Sequence, residues 1–505
     1  MTSVRGSLFL SFAEKYSILL INIVATVILA RLLTPAETGL YSVAAGLINV
    51  AQTLRDFGVG NYIVQESDLT RRRLSTALGI SLILGATIAL GFVAAAGPLA
   101  LAFQAPRLRI VVLIMSLNFI LVAFAAIGTA RLHRDMKFRA ALRIGIAAAI
   151  AHAATSIIMA SQGYGAVGMA WASVMGISVY VAGNYICYAE DILLRPALTE
   201  WRRVLGFGVL VSGGTLLQEA GQRVADVVVG RFLGFSAAGL YSRANGLVSL
   251  FQQAMMDAIT PVALSALALL NRNAGEVKAP FLRLLGYTTL VAWPLLAMIA
   301  LLALPIIQVA FGPQWLAAVQ TARILCLAAA LGVLGRVAVT LFTAMGAARR
   351  LFRVQLMGIP ILVLAVCLGA TISIEAAAWG TVAGTLVHAL YAVQQAKTNI
   401  ELSWRQIGRV LGASLLVASV SLAVPVAIVL GYGVSSAHFW PQTIAAGTSG
   451  VTAWFLYIFA LGHPFCEEIR LAWRHPWSPF RRLAVAAPAA APLGRTSIVV
   501  QRDPR

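Results

Sequence analysis

Residues 218–226 read QEAGQRVAD, placing two carboxylates, a guanidinium and two amides inside a long apolar run. Glu219, Gln222, Arg223 and Asp226 stand at i, i+3, i+4 and i+7, so on a helix they form one polar face. An ionised group at the centre of a membrane helix costs roughly 2.5–3.5 kcal/mol on insertion scales, and such groups mark interior cavities. Further polar sets lie in other apolar runs: Asn49, Gln52, Arg55 and Asp56; Arg243, Asn245, Gln252, Gln253 and Asp257; Arg323 and Arg336. An Arg without a carboxylate partner suits a phosphate, because its fork binds oxyanions bidentately and stays charged. The candidate substrate-binding residues are therefore Arg55, Arg223, Arg243, Arg336, Gln52, Gln222 and Gln252. Glu219, Asp226 and Asp257 are candidates for ion coupling or a gate. Pairing competes with this reading at two places: Glu219 with Arg223 along one helical turn, and Asp226 with Arg243 across a helical hairpin.

Other chemistry finds no support. The histidines at 133, 152, 388, 438, 463 and 475 are scattered, without ligand or triad spacing. Cys187, Cys326, Cys367 and Cys466 lie in or beside apolar runs, which reads as buried packing rather than disulfides. No catalytic residue, metal or cofactor is expected. A membrane polymerase or glycosyltransferase would need a sizeable outer loop or a cytoplasmic catalytic domain, and the sequence offers neither.

The elements that must position these groups follow from composition. Of 505 residues, 60% are hydrophobic and 11% charged, against roughly 25% charged in a soluble domain. Apolar runs of membrane-spanning length recur throughout and do not alternate, so they read as helices rather than barrel strands. Fourteen spans are expected, among them 204–230, 237–262 and a single ninth span at 282–310. The expected class is an all-α polytopic membrane protein. The first apolar run reads as a retained span, not a cleaved signal.

The formal charge of +20 reflects orientation rather than nucleic-acid binding. With the N-terminus cytoplasmic and the spans alternating, most of the Lys and Arg fall on inner connections. Arg31, Arg107, Arg109 and Arg231 are the outer ones. The positive-inside rule then puts both termini in the cytoplasm. Trp201, Trp404, Trp315 and Trp440 stand at span ends, where interfacial aromatics belong.

One sentence is written twice. RLLTPAETGLYSVAAGL at Arg31 and RFLGFSAAGLYSRANGL at Arg231 agree at nine of seventeen positions. The offset holds six spans, an even number, so both copies enter the membrane the same way. This predicts two parallel six-helix lobes about a pseudo-twofold along the membrane normal, at 1–200 and 201–400. Helices 13 and 14 at 401–463 follow as an appendix. Residues 464–505 read as a basic, largely disordered cytoplasmic tail. Thr34-Pro35-Ala36-Glu37 reads as a capping box with Pro at the first helical position. The GLYS words themselves read as turn and packing chemistry. The charges are not duplicated: Gln52 matches Gln252, but Arg223 matches Ile23 and Arg55 matches Met255.

ARLLTPAETGLYSVAAGLINVAQTLRDFGVGNYIVQE, after a first span opening FAEKYS, resembles the start of bacterial polysaccharide exporters. These are the Wzx-type oligosaccharide flippases of the multidrug/oligosaccharidyl-lipid/polysaccharide superfamily. The shared pattern is R-x-L-x-P-x-x-x-G-x-Y. The resemblance implies that a polyprenyl-pyrophosphate-linked oligosaccharide is turned from the cytoplasmic to the periplasmic face by alternating access, for cell-surface polysaccharide. It implies a central cationic cavity, for which Arg55, Arg223, Arg243 and Arg336 are the candidates. A polysaccharide polymerase and glycosyltransferases would be its partners, alongside the bilayer. The rival reading is a cation-coupled multidrug antiporter of the same superfamily, kept open by Glu219, Asp226 and Asp257.

Overall fold

The computed structural model describes residues 4–56, 59, 63, 70–192, 195–199, 201–272, 276–432 and 439–460. Among them, fourteen helices of 22 residues or more follow one another, with one short helix inserted. They are α1 Val4–Leu32, α2 Pro35–Asp56, α3 Arg71–Ala102, α4 Pro106–Arg134, α5 Phe138–Ser161, α6 Gly165–Ile192, α7 Trp201–Phe232 and α8 Phe235–Arg272. After these come α9 Lys278–Leu301, the short α10 Ala303–Ala310, α11 Ala318–Ala344, α12 Ala348–Ala370, α13 Ile374–Asn399, α14 Trp404–Tyr432 and α15 Phe439–Ala460. Ten are long and apolar enough to cross a membrane, or eleven if the bent α8 counts as one span. The polar helices α2 and α7 are not among them. The protein is thus an all-α polytopic membrane protein. The tail expected after residue 463, and Cys466, lie outside the described residues.

The segment expected as the ninth span, where Pro305 is expected to kink the helix, is not one continuous helix. It is two helices, broken at Leu302. Pro305 supplies the reason: it has no N–H to donate and its ring crowds the carbonyl four residues back, at Leu301, where α9 ends. By contrast Pro98, Pro294 and Pro360 stay inside continuous helices.

Helix packing repeats between the halves. In the first, α3 packs on α4, α4 on α6, α5 on α6, α1 on α5 and α2 on α4. In the second, α9 packs on α11, α11 on α13, α12 on α13, α7 on α12 and α8 on α11. Each pairing of the first set is thus matched by its counterpart in the second. Across the halves, α2 packs on both α7 and α8. The connecting segment is tied to the first half, with Ala197 N donating to Ser75 O at 3.1 Å and Arg72 Nε to Thr199 Oγ1 at 3.2 Å.

Helices α14 and α15 sit beside the second half through α9. The Thr289 and Ser414 hydroxyls are 2.8 Å apart, and Trp454 Nε1 donates to Leu290 O at 3.1 Å. Buried hydroxyls and indole N–H groups need such partners at membrane depth, so these bonds fix the docking register.

Candidate functional site

We call the end of the bundle where α1 begins proximal and the end where α1 meets α2 distal. The capping box forms as expected at the distal end: Thr34 N donates to Glu37 Oε2 at 3.1 Å, and Glu37 N donates to Thr34 Oγ1 at 3.3 Å. Two otherwise orphaned N–H groups at the start of α2 are thereby satisfied.

The repeated words meet each other here. A Cβ added at Gly39 would collide with the Phe235 carbonyl and come within 2.7 Å of Gly239 N. One added at Gly239 would collide with the Pro35 carbonyl and come 3.0 Å from Gly39 N. Only glycine permits this backbone-to-backbone crossing of α2 and α8. The duplicated glycine therefore lies on the contact between the two halves, a packing role.

A latch braces this seam. The last carbonyls of α1 lack partners within their own helix. Gln314 Nε2 donates to Ala30 O at 2.6 Å and to Leu33 O at 3.2 Å, and Trp315 Nε1 donates to Ala30 O at 2.7 Å. Arg31 returns a bond to Val309 O at 2.7 Å. Trp315 is thus no interfacial aromatic: it is 0% exposed, driven inward by the turn at Gly312, whose φ is 101°.

Arg243 belongs to the same latch, which corrects one expectation. It forms no ion pair with Asp226. Its guanidinium carbon lies 4.8 Å over the Trp315 ring and 5.3 Å over Phe311, a cation–π sandwich that α10 and its break make available. Arg323 is exposed, with Nε donating to Ala300 O at 3.3 Å.

Below the seam, the polar face of α7 divides. Arg223 Nε and Glu219 Oε1 pair at 3.1 Å, yet their side chains remain 43% and 29% exposed. Gln218 and Gln222 are exposed as well. One turn toward the distal end, Asp226 is only 6% exposed and its Oδ1 accepts no hydrogen bond. Gly46 of α2 packs against Val227 and Arg223 on the same stretch of α7. The side chain of Asp257 lies outside the described residues.

Three helices of the second half converge on Gly332 of α11. From the position of an added Cβ, Thr385 Cγ2 is 3.4 Å away, an Arg336 terminal nitrogen 3.6 Å and Gln252 Nε2 3.9 Å. Gln252 also donates to Ala329 O at 3.1 Å. Arg336 makes no ion pair among the described residues, and its Nε has no acceptor. A cation held this way keeps its donor fork for an oxyanion. In the first half Arg55 is 4% exposed, with its Cδ 3.9 Å from the Cβ position of Gly85 on α3. Gln52 lies one turn earlier on α2, partly buried.

Sequence reasoning passed over a further chain of polar groups. Gln355 is buried on α12; its Nε2 donates to Gln218 Oε1 at 3.4 Å, and its Oε1 lies 3.2 Å from His388 Nε2 on α13. Nothing in the spacing of the three joins them, since they come from three helices.

Duplicated helix packing and arginines within long apolar helices define an all-helical, polytopic membrane protein. This chain belongs to the family described as polysaccharide biosynthesis protein, which matches residues 28–320. It is similar to the lipopolysaccharide biosynthesis protein WzxC of Escherichia coli (strain K12), at 22% identity over 62% of this chain and 64% of that protein. It is also similar to the succinoglycan biosynthesis transport protein ExoT of Rhizobium meliloti (strain 1021), at 24% identity over 58% of this chain and 60% of that one. Each match spans less than two thirds of the relative's length. In fold it is similar to the lipid II flippase MurJ in an inward closed conformation, with TM-score 0.68, 14% identity, and coverage of 90% of this chain and 99% of that one. An inward-facing multidrug transporter of the MATE family aligns with TM-score 0.57, 16% identity, and coverage of 76% and 94%.

Proposed function

We propose that this protein is a flippase that turns a polyprenyl-pyrophosphate-linked oligosaccharide from the cytoplasmic to the periplasmic face of a bacterial inner membrane, for cell-surface polysaccharide. It is not a catalytic enzyme. The two sets of repeating helix pairs are parallel six-helix lobes about a pseudo-twofold along the membrane normal, and all fourteen long helices cross the bilayer. Both termini are cytoplasmic, so the distal seam faces the periplasm. In this reading the state described is closed on the periplasmic side. Transport then requires the Gly39/Gly239 seam and the Trp315 latch to part while the proximal ends close, an alternation of access about a fixed central site.

The observation that carries this reading is Arg336: a guanidinium within a helix of membrane-spanning length, with no ion-pair partner among the described residues and held beside Gln252. A pyrophosphate supplies the missing acceptors, while the polyprenyl chain stays in lipid. The antiporter reading asks for accessible, unpaired acids. The structure instead pairs Glu219 and buries Asp226.

The test is export. Arg336→Ala and Arg223→Ala are each expected to abolish surface polysaccharide at unchanged membrane abundance, with lipid-linked oligosaccharide accumulating on the inner face. Normal export by both variants would remove these cations from the substrate path.

A further inference from the structure

The relay from α13 to α7 has the form of a proton site. The amide oxygen of Gln355 can only accept, so the hydrogen bond at 3.2 Å requires His388 to donate from Nε2. That leaves Nδ1 with the lone pair. The ring occupies a slot prepared by two glycines. A Cβ at Gly358 of α12 would overlap the imidazole, and one at Gly335 of α11 would stand 3.3 Å from Nδ1. Gln355 is fully engaged, donating onward to Gln218, which is exposed on the open part of α7. Imidazole, buried amide and exposed amide thus form one chain across three helices.

The charged groups on the surrounding elements are mostly basic. Toward the middle of these helices they are Arg336 on α11, next to Gly335 in sequence; Arg353 on α12; Arg243 and Asp257 on α8; and Arg223, its partner Glu219 and the buried Asp226 on α7. Among the described residues no carboxylate reaches ion-pair distance of the ring. A proton gained at Nδ1 therefore adds a new positive charge instead of completing an ion pair.

We infer that His388 is a proton-binding site wired through Gln355 to Gln218, and that loading it raises the positive potential of the central space beside Arg336. The inference deepens the flippase reading and rests on it only for the meaning of that space. A charge that comes and goes with pH would tighten or relax the hold on an anionic headgroup, giving a proton gradient purchase on the transport cycle.

The experiment uses the full chain in lipid nanodiscs and no substrate. Histidine C2 hydrogen–deuterium exchange, read by mass spectrometry between pH 5 and 9, is expected to give His388 a single titration midpoint that Gln355→Leu displaces. A second readout uses Gln222→Cys as reporter, with the four native cysteines replaced by serine. The ratio of its reaction rates with an anionic and a cationic methanethiosulfonate cancels the thiol's own ionisation. That ratio is expected to rise about threefold as pH falls through the midpoint, and to stay flat in His388→Gln. No midpoint in the range, a midpoint indifferent to Gln355→Leu, or an unchanged pH response in His388→Gln would each overturn the inference. None of these outcomes bears on export by Arg336→Ala, so the two readings fail separately.

Discussion

Gly239→Ala tests whether the duplicated glycines hold the distal end shut. The added methyl would run into the Pro35 carbonyl and lie 2.8 Å from its carbon and 3.0 Å from Gly39 N. All three are backbone atoms, so no rotamer change relieves the clash. The helices must part by about an ångström to restore ordinary van der Waals separation. Overpacking of this kind costs about 1–3 kcal/mol, and here only the closed seam bears it. Alanine also favours the helix over glycine, but equally in both states, so that gain does not bias the equilibrium. The seam-open population should rise about 5- to 150-fold. Val43 is a suitable reporter, being 0% exposed and packed in the seam against Gly230. Val43→Cys should be inert to a membrane-impermeant maleimide in the parent and react at least fivefold faster with Gly239→Ala. The control is Gly246→Ala, where an added Cβ meets nothing within 4 Å; its labelling rate should match the parent. If Gly239→Ala leaves Val43→Cys protected in a folded protein, or if Gly246→Ala exposes it equally, the seam does not work as described.

Two smaller perturbations probe the same end. Trp315→Phe keeps a ring beneath Arg243 but removes the indole donor to Ala30 O, a loss of about 1 kcal/mol; with the same reporter, labelling should rise about fivefold. Thr34→Ala removes the hydroxyl that accepts from Glu37 N and should destabilise α2 by about 1 kcal/mol, read as a lower thermal midpoint in detergent.

Much of this protein is local and was therefore legible. A helix is specified by its own sequence, so apolar runs located the long helices and the capping box placed the start of α2. The 3.6-residue period put Glu219 and Arg223 on one face, and the structure pairs them. The repeat at Arg31 and Arg231 foretold duplicated packing, because two copies of one pattern bury the same faces. Even the break near Pro305 lay in plain view, although Pro98, Pro294 and Pro360 show that proline alone does not dictate one.

Contacts between helices distant in the chain were decided only by the tertiary structure. Arg243 and Asp226 lie at matching depth on neighbouring helices, which suggests a pair. The turn after α10 instead delivers Trp315 and Phe311 to the guanidinium. His388 looked isolated because its partners, Gln355 and Gln218, come from two other helices, and the slot that holds it is the absence of side chains at Gly335 and Gly358. The sequence by itself set which residues are polar, which are small, and which face of its own helix each occupies. Which polar group meets which, and which is left open, follows from how closely the backbones approach, and that distance belongs to the packed bundle rather than to any one segment.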